Sequence, residues 1–141
     1  MNAPWALRFW GKVNKCGGVP KDRPQLGQCW LWLGAKSRGY GYFWFAGKNV
    51  RAHRFLYEFL IGQIPSAKEL DHVCRNSLCV NPKHLEVVTH KENTLRGNGI
   101  AARQFRKTTC LRGHPFVRSG DKRFCRTCKR EANRRWRASN A

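Results

Sequence analysis

Between residues 71 and 85 the chain reads DHVCRNSLCVNPKHL, and Cys74, Cys79 and His84 stand in it five positions apart. Three soft ligands at that spacing restrict the fold more than any other feature, because they form a tetrahedral metal site short of one donor. Buried free cysteines are common singly but not at this density. The chain has seven cysteines, an odd number, so no complete disulfide pairing exists. Clustered Cys and His in a small basic chain point to zinc, which supplies folding energy that a small core lacks. Cys29, at the start of the run CWLWLG, is the better fourth donor, and Cys16, in a Gly-Gly segment, is the weaker one. The predicted first site is therefore Cys29, Cys74, Cys79 and His84.

A second set lies near the C-terminus. Cys110 and His114 (C-x3-H) are followed by Cys125 and Cys128 (C-x2-C), with the hairpin FVRSGDKRF between the pairs. Paired ligands at both ends of a hairpin close a structural zinc site. A redox C-x-x-C would stand at a strand end within a βαβ pattern, and no such pattern is present. Two sites of three thiolates and one imidazole lower the formal charge of +20 by only two.

That charge comes from 28 Lys+Arg against 8 Asp+Glu and repels itself unless a polyanion neutralises it. Nucleic acid is the matching partner. A basic membrane-surface protein needs a lysine-rich amphipathic helix with a clean apolar face, and no stretch is apolar enough to span a bilayer. The opening MNAPWALRFWGKVNK lacks the apolar h-region of a signal peptide, which predicts a cytoplasmic location.

Periodicity sketches an α+β chain. PWALRFWGKV (4–13) predicts a short helix, CWLWLG (29–34) a strand, and GYGYFWFAGKNVRAHRF a hairpin turning at Ala46-Gly47-Lys48-Asn49. In AHRFLYEFL (52–60), Phe55 with Phe59 and Leu56 with Leu60 share one helical face. A strand around Leu70 to His72, the cysteine loop, the strand LEVVT (85–89) and a helix from HKENTLRGN make a ββα unit. Thr89 and Glu92 predict a capping box at the start of that helix. Residues 100–141 hold 13 basic and 2 acidic residues, and RTCKREANRRWRASN (126–140) reads as a basic helix. A linker is expected at about 97–108, between a first domain at 1–98 and a zinc-binding module at 99–141.

With the zinc ligands set aside, Asp71 and His72 remain, and Asn93 follows His72 by 21 residues on the helix of the ββα unit. A strand-end imidazole facing a helix-borne amide can activate water beside a hard cation. By spacing alone such a pair is more often an ordinary polar contact. The wider pattern is more specific: CW-x-W-x-G at 29–34, GYG at 39–41, AHR at 52–54, DH-x-C at 71–74, CVNP-x-HL at 79–85, and T-x-x-x-N ending at Asn93. On these residues the chain resembles the HNH endonucleases of the ββα-metal (His-Me finger) superfamily, and within them the bacteriophage group. Its loop, with Cys74, Cys79, His84 and Asn93 at offsets of 2, 7, 12 and 21 from His72, is similar to that of the His-Cys box homing endonucleases. The C-terminal C-x3-H-P…C-R-x-C with its basic helix is similar to the tail of many such phage proteins. Together these similarities cover roughly residues 29–128.

The resemblance implies a small zinc-stabilised ββα-metal nuclease core with an N-terminal β-hairpin and helix, plus a C-terminal zinc-ribbon-like module and basic helix. It implies His72 as general base, with Asn93 and Asp71 ligating Mg2+ or another divalent cation; the His-Cys box group lacks that aspartate. His84 stands where many HNH proteins have their middle Asn, and here it is expected to bind zinc instead. Arg51 or Arg54 would contact the scissile phosphate, with the choice open. Asn81 reads as a loop-stabilising amide, His53 as a satisfied core histidine and His90 as a solvated helix-start residue.

Arg123, Arg126, Lys129, Arg130, Arg134 and Arg137 would grip duplex DNA, more weakly as salt rises. Trp136 would either stack on a base or dock its own helix. Activity should fall below the pKa of His72, about 6.5 if unperturbed. The expected function is metal-dependent nicking or cutting of double-stranded DNA, in the host cytoplasm if the chain is phage-encoded. The alternatives are a non-catalytic zinc-stabilised DNA-binding protein, as regulator or packaging accessory, and an RNA-binding zinc protein. A homodimer or a phage packaging partner is left open, and no membrane partner is expected.

Overall fold

The computed structural model describes residues 4–120 and 122–140, so that Asp121, part of the stretch FVRSGDKRF expected as a hairpin, lies outside the described residues. The chain divides into two units, Met1–Asn93 and Thr94–Ala141.

In the first unit, helix α1 (Pro4–Trp10) leads into β1 (Val13–Asn14), which pairs antiparallel with β2 (Leu31–Trp32). The expected helix to residue 13 ends at Trp10: the Gly11 amide still makes the helical bond to the Leu7 carbonyl, but the Lys12 amide turns to the Phe9 carbonyl, both at 3.0 Å. Strand β2 is shorter than the expected 29–34 run, because its neighbours bond to a loop rather than to a strand. Val80 donates to the Trp30 carbonyl at 2.8 Å, and Trp32 donates to the Leu78 carbonyl at 2.9 Å. These bonds carry the segment that starts at Cys29 against the loop at 78–80.

Strands β3 (Lys36–Ser37), β4 (Tyr40–Phe45) and β5 (Lys48–Arg51) form a three-stranded antiparallel sheet. The β4–β5 turn is only Ala46-Gly47, both left-handed (φ 47 and 79), while Lys48 and Asn49 already pair with β4. Such a primed two-residue turn matches the twist of the flanking strands. Helix α2 (Ala52–Leu60) follows immediately and buries Ala52, His53 and Leu56. Phe9, Trp32, Phe43, Ala52, Leu56 and Val80 make the core, with Trp5 and Phe55 packed against it. Trp32 lies flat on Gly41, where an added Cβ would overlap the indole.

The ββα unit closes the first unit. Strand β6 (Lys68–His72) pairs with β7 (Leu85–Thr89) in a register that sets His72 opposite Leu85, and α3 (His90–Arg96) follows. The capping box forms: the Thr89 amide donates to Glu92 Oε2 at 2.8 Å, and the Glu92 amide donates to Thr89 Oγ1 at 3.1 Å.

The second unit holds α4 (Ile100–Arg106), the hairpin of β8 (Val117–Ser119) and β9 (Lys122–Phe124), and α5 (Arg126–Ser139). The stretch expected as a linker is thus mostly a helix, anchored by the fully buried Ala102. Together the units are a mixed α+β fold carrying two Cys/His clusters. Among the described residues no helix is long and apolar enough to cross a membrane.

Candidate active site and metal centres

The loop between β6 and β7 folds back on itself through the Val73 amide, which donates to the His84 carbonyl at 2.9 Å. With Cys29 brought in from β2's side, Cys29, Cys74, Cys79 and His84 converge, their ligand atoms all within 4.8 Å of one another. His84 Nδ1 lies 3.5 Å from both Cys29 Sγ and Cys79 Sγ. Zinc bonds of about 2.3 Å to sulfur and about 2.05 Å to nitrogen place tetrahedral ligand atoms about 3.5–3.8 Å apart, so the two His84 distances are those of a zinc site and the cluster is compatible with one. The other nitrogen of His84 must carry the proton, since Nε2 bonds the Leu26 carbonyl at 2.8 Å and a carbonyl only accepts. Nδ1 is therefore left as the ligand atom, an outer-shell arrangement typical of zinc-binding histidines. Asn81 secures the loop: its Nδ2 donates to the Gln28 carbonyl and its Oδ1 accepts from the Lys83 amide, both at 3.1 Å. Cys16 is exposed and stands outside the cluster.

In the second unit Cys110, His114, Cys125 and Cys128 converge in the same way. Cys110 Sγ lies 3.8 Å from Cys128 Sγ and 3.7 Å from His114 Nδ1, again the spacing of a zinc tetrahedron. The Cys128 amide donates to Cys125 Sγ at 3.4 Å, so the first turn of α5 supports its own ligand.

His72 is not part of either cluster. Its ring is 8% exposed, and Nε2 bonds the Cys79 carbonyl at 3.1 Å. The carbonyl again fixes the proton, on Nε2, and leaves the Nδ1 lone pair as the basic position. Burial, ahead of the opposing influence of Cys74, holds the His72 pKa below its ordinary value, so the expected fall in activity moves to more acid pH.

A cavity of about 210 Å³ opens beside the ring, lined by Tyr40, Asp71, His72, Arg75, Ser77 and Asn93 among others. Asp71 Oδ1 accepts from Arg75 Nη1 at 2.8 Å. Asn93 Nδ2 donates to Glu69 Oε2 at 2.6 Å, and His90 Nδ1 lies 2.9 Å from Glu69 Oε1. An ionised carboxylate can only accept, so the amide must turn its NH2 to Glu69 and keep its carbonyl oxygen for other partners. The bond from Asn93, then that from His90, keeps Glu69 below the usual carboxylate range.

Tyr40, His53 and His72 form a triangle with ring centroids 5.6, 6.2 and 4.7 Å apart. Burial, reinforced by His72, Arg51 and Arg54, lowers His53 to about 3, so its ring is neutral. The expectation that His53 is satisfied needs correcting: it is buried, but its Nδ1 has no hydrogen-bond partner among the described residues. His90 is exposed, as a helix-start residue, yet it is held by Glu69 rather than by solvent alone. Arg51 lies over the Tyr40 ring at 4.7 Å, whereas Arg54 pairs with Glu58 at 3.1 Å. The two arginines that the sequence could not separate thus have different surroundings.

On α5, Arg126, Arg130, Arg134 and Arg137 line one exposed face. Lys129 lies elsewhere, its Nζ 5.2 Å from the Phe124 ring centroid. Arg123 is engaged inside the module, donating to the carbonyls of Phe105 at 3.1 Å and Lys107 at 2.5 Å. It ties β9 to the C-terminal end of α4. Trp136 is 67% exposed, and its carbonyl accepts from Asn140 Nδ2 at 2.8 Å.

The model of the HNH endonuclease family matches residues 50–95, from the end of β5 through α3. Over that segment the chain is similar to HNH endonucleases. Within that HNH segment lie His72, Asp71 and Asn93 and three of the four ligands of the first cluster; Cys29 comes from outside it. Protein 7.7 of Escherichia phage T7 is 42% identical over 67 residues, 47% of this chain and 52% of that protein. Protein 2.8 of the same phage is 41% identical over 69 residues, 47% of this chain and 46% of that protein. A gene 5.3 protein of Enterobacteria phage T3, described as uncharacterized, is 33% identical over 51 residues, 36% of this chain and 50% of that protein. The matched region spans about half the length of these curated relatives. No solved structure matches.

Sequence reasoning missed Glu69 and Tyr40 in the HNH site. The signal for Glu69 was its place two residues before Asp71 on one strand, which puts both carboxylates on the same side of β6.

Proposed function

We propose that the protein is a metal-dependent endonuclease that hydrolyses phosphodiester bonds in double-stranded DNA. The observation that carries this reading is the state of His72: a buried ring whose Nε2 is committed to the Cys79 carbonyl, leaving Nδ1 as its basic atom, on a side chain that lines one cavity with Asp71 and Asn93. A side chain serving only structure would gain nothing from that arrangement. As general base, Nδ1 takes the proton of a water that attacks phosphorus, and the bond to the 3′ oxygen breaks, leaving a 5′-phosphate and a 3′-hydroxyl. The Asp71 carboxylate and the Asn93 carbonyl oxygen are hard donors suited to Mg2+ or a similar divalent cation. Such a cation, when bound, stabilises negative charge on the phosphate and the departing oxygen.

Glu69 acts as a positioning residue by fixing which end of the Asn93 amide faces the cavity. Arg51, poised over Tyr40, is the better candidate for the scissile phosphate than Arg54, which Glu58 already engages. The arginine face of α5 supplies backbone contacts that position the duplex without reading sequence. Incubating zinc-loaded protein with supercoiled plasmid tests the reading. Nicking or linearisation that requires added divalent cation, with 5′-phosphate ends, is the expected result. Binding without cleavage under every divalent cation would leave only a DNA-binding protein.

A further inference from the structure

Helix α2 and the β4–β5 hairpin enclose a second hollow of about 510 Å³, roomier than the one beside His72. Its floor is apolar: Phe45, Val50, Phe55 and Phe59 line it. Phe45 and Phe55 lie 4.7 Å apart, and Phe59 runs nearly parallel to Phe55, 15° between planes at 6.5 Å. Phe59 is nevertheless 60% exposed, an uncommon state for a phenyl ring that already has aromatic neighbours to pack on. The rim is cationic: Lys48, Arg51 and Arg54 stand against a single carboxylate, Glu58, which Arg54 pairs with. Aromatic faces bordered by unmatched positive charge suit a ligand with a flat π-system and an attached anion.

Arg51 fixes where such a ligand comes from. It lines this groove and also lies over Tyr40, which lines the His72 cavity. A strand whose phosphate meets Arg51 at the reaction centre therefore runs directly onto the groove with its neighbouring nucleotide. We propose that the groove holds one unstacked nucleotide next to the scissile phosphate, its base against Phe59 and Phe55 and its phosphate on Lys48 and Arg51. The proposal rests on the nuclease reading for the position of the scissile phosphate. The binding is tolerant of sequence, because every base has a π-face, and it favours distorted or single-stranded segments, where unstacking costs least.

Photocrosslinking full-length zinc-loaded protein to single-stranded oligonucleotides that carry 5-iododeoxyuridine tests this directly. Crosslinked peptides from residues 45–59 are expected. Crosslinks found only on α5, or none, would overturn the proposal. The second measurement compares an eight-nucleotide thymidine strand with an abasic strand of the same length. Phe59→Ala is expected to weaken the thymidine strand about tenfold, the order of one base stack, and to leave the abasic strand unaffected. Equal losses for both, or no loss for either, would show that the groove serves another occupant such as an apolar segment of a protein. If the variant does not fold, the wild-type crosslinks alone decide between these outcomes. Failure here is separable from failure of the nuclease reading, which plasmid cleavage by the unaltered protein decides.

Discussion

Glu69 shows how a single side chain can govern a site it does not enter. The 2.6 Å bond from Asn93 decides which atom of the amide is presented to the cavity, because a carboxylate accepts and does not donate. Glu69→Ala frees the amide to turn over, and Glu69→Gln keeps an acceptor in place. Outer-shell losses of this kind typically cost 10–100-fold, so cleavage by Glu69→Ala should fall about that far with DNA affinity unchanged, and Glu69→Gln should recover part of it. Isothermal titration of Mn2+ supplies a second readout, with weaker binding expected for Glu69→Ala. Wild-type cleavage and Mn2+ binding in that variant would remove its positioning role.

At this scale the sequence was unevenly legible. The metal ligands could be read because soft donors at fixed short spacing have few other uses. Glu69 was passed over, because its place two residues before Asp71 gains meaning only from a partner 24 residues away. Arg51 and Arg54, three positions apart, stayed indistinguishable until the Tyr40 ring and Glu58 separated them. The bonds from Arg123 Nη1 to two carbonyls at the end of α4 had no local sequence signal.

Elements with strong local signals were legible too. Helix α2 occupies Ala52–Leu60 and β7 occupies Leu85–Thr89, the spans that periodicity and β-branching predicted. Elements defined by distant pairing were not, β2 losing most of its expected length to bonds with the 78–80 loop. Helix α4 was hidden behind Gly97-Asn98-Gly99, whose composition reads as linker.

The joint between β2 and β4 depends on Gly41, where a methyl group would overlap Trp32. Overpacking of this type costs about 1–3 kcal/mol, so Gly41→Ala should lower the denaturant midpoint accordingly, and an unchanged midpoint would show that the indole has room to move. The zinc loop makes a sharper case, since Cys79 serves twice: its sulfur belongs to the metal cluster and its carbonyl holds His72. Metal removal should therefore act on the base as well as on the fold. Metal analysis should find two zinc ions per chain. A strong chelator should lower the melting temperature and abolish cleavage, restored by zinc with magnesium but not by magnesium alone. Full activity of the zinc-free chain would break this link.

For the molecule as a whole, a charge of +20 stands beside a segment, residues 50–95, that matches the HNH endonuclease family, and the proposed function joins a grip on polyanions to hydrolysis. The two could exist separately, and a cationic zinc protein that only binds DNA would have the same net charge. What separates them is the imidazole at residue 72. The decisive measurement is single-turnover plasmid cleavage by His72→Ala beside its DNA affinity, both compared with the unaltered protein. Loss of a positioned base typically costs about 10²–10⁴-fold, so cleavage should drop by at least about a hundredfold while affinity stays within about twofold. Cleavage by His72→Ala at the unaltered rate, with its fold and both zinc ions intact, would contradict the account.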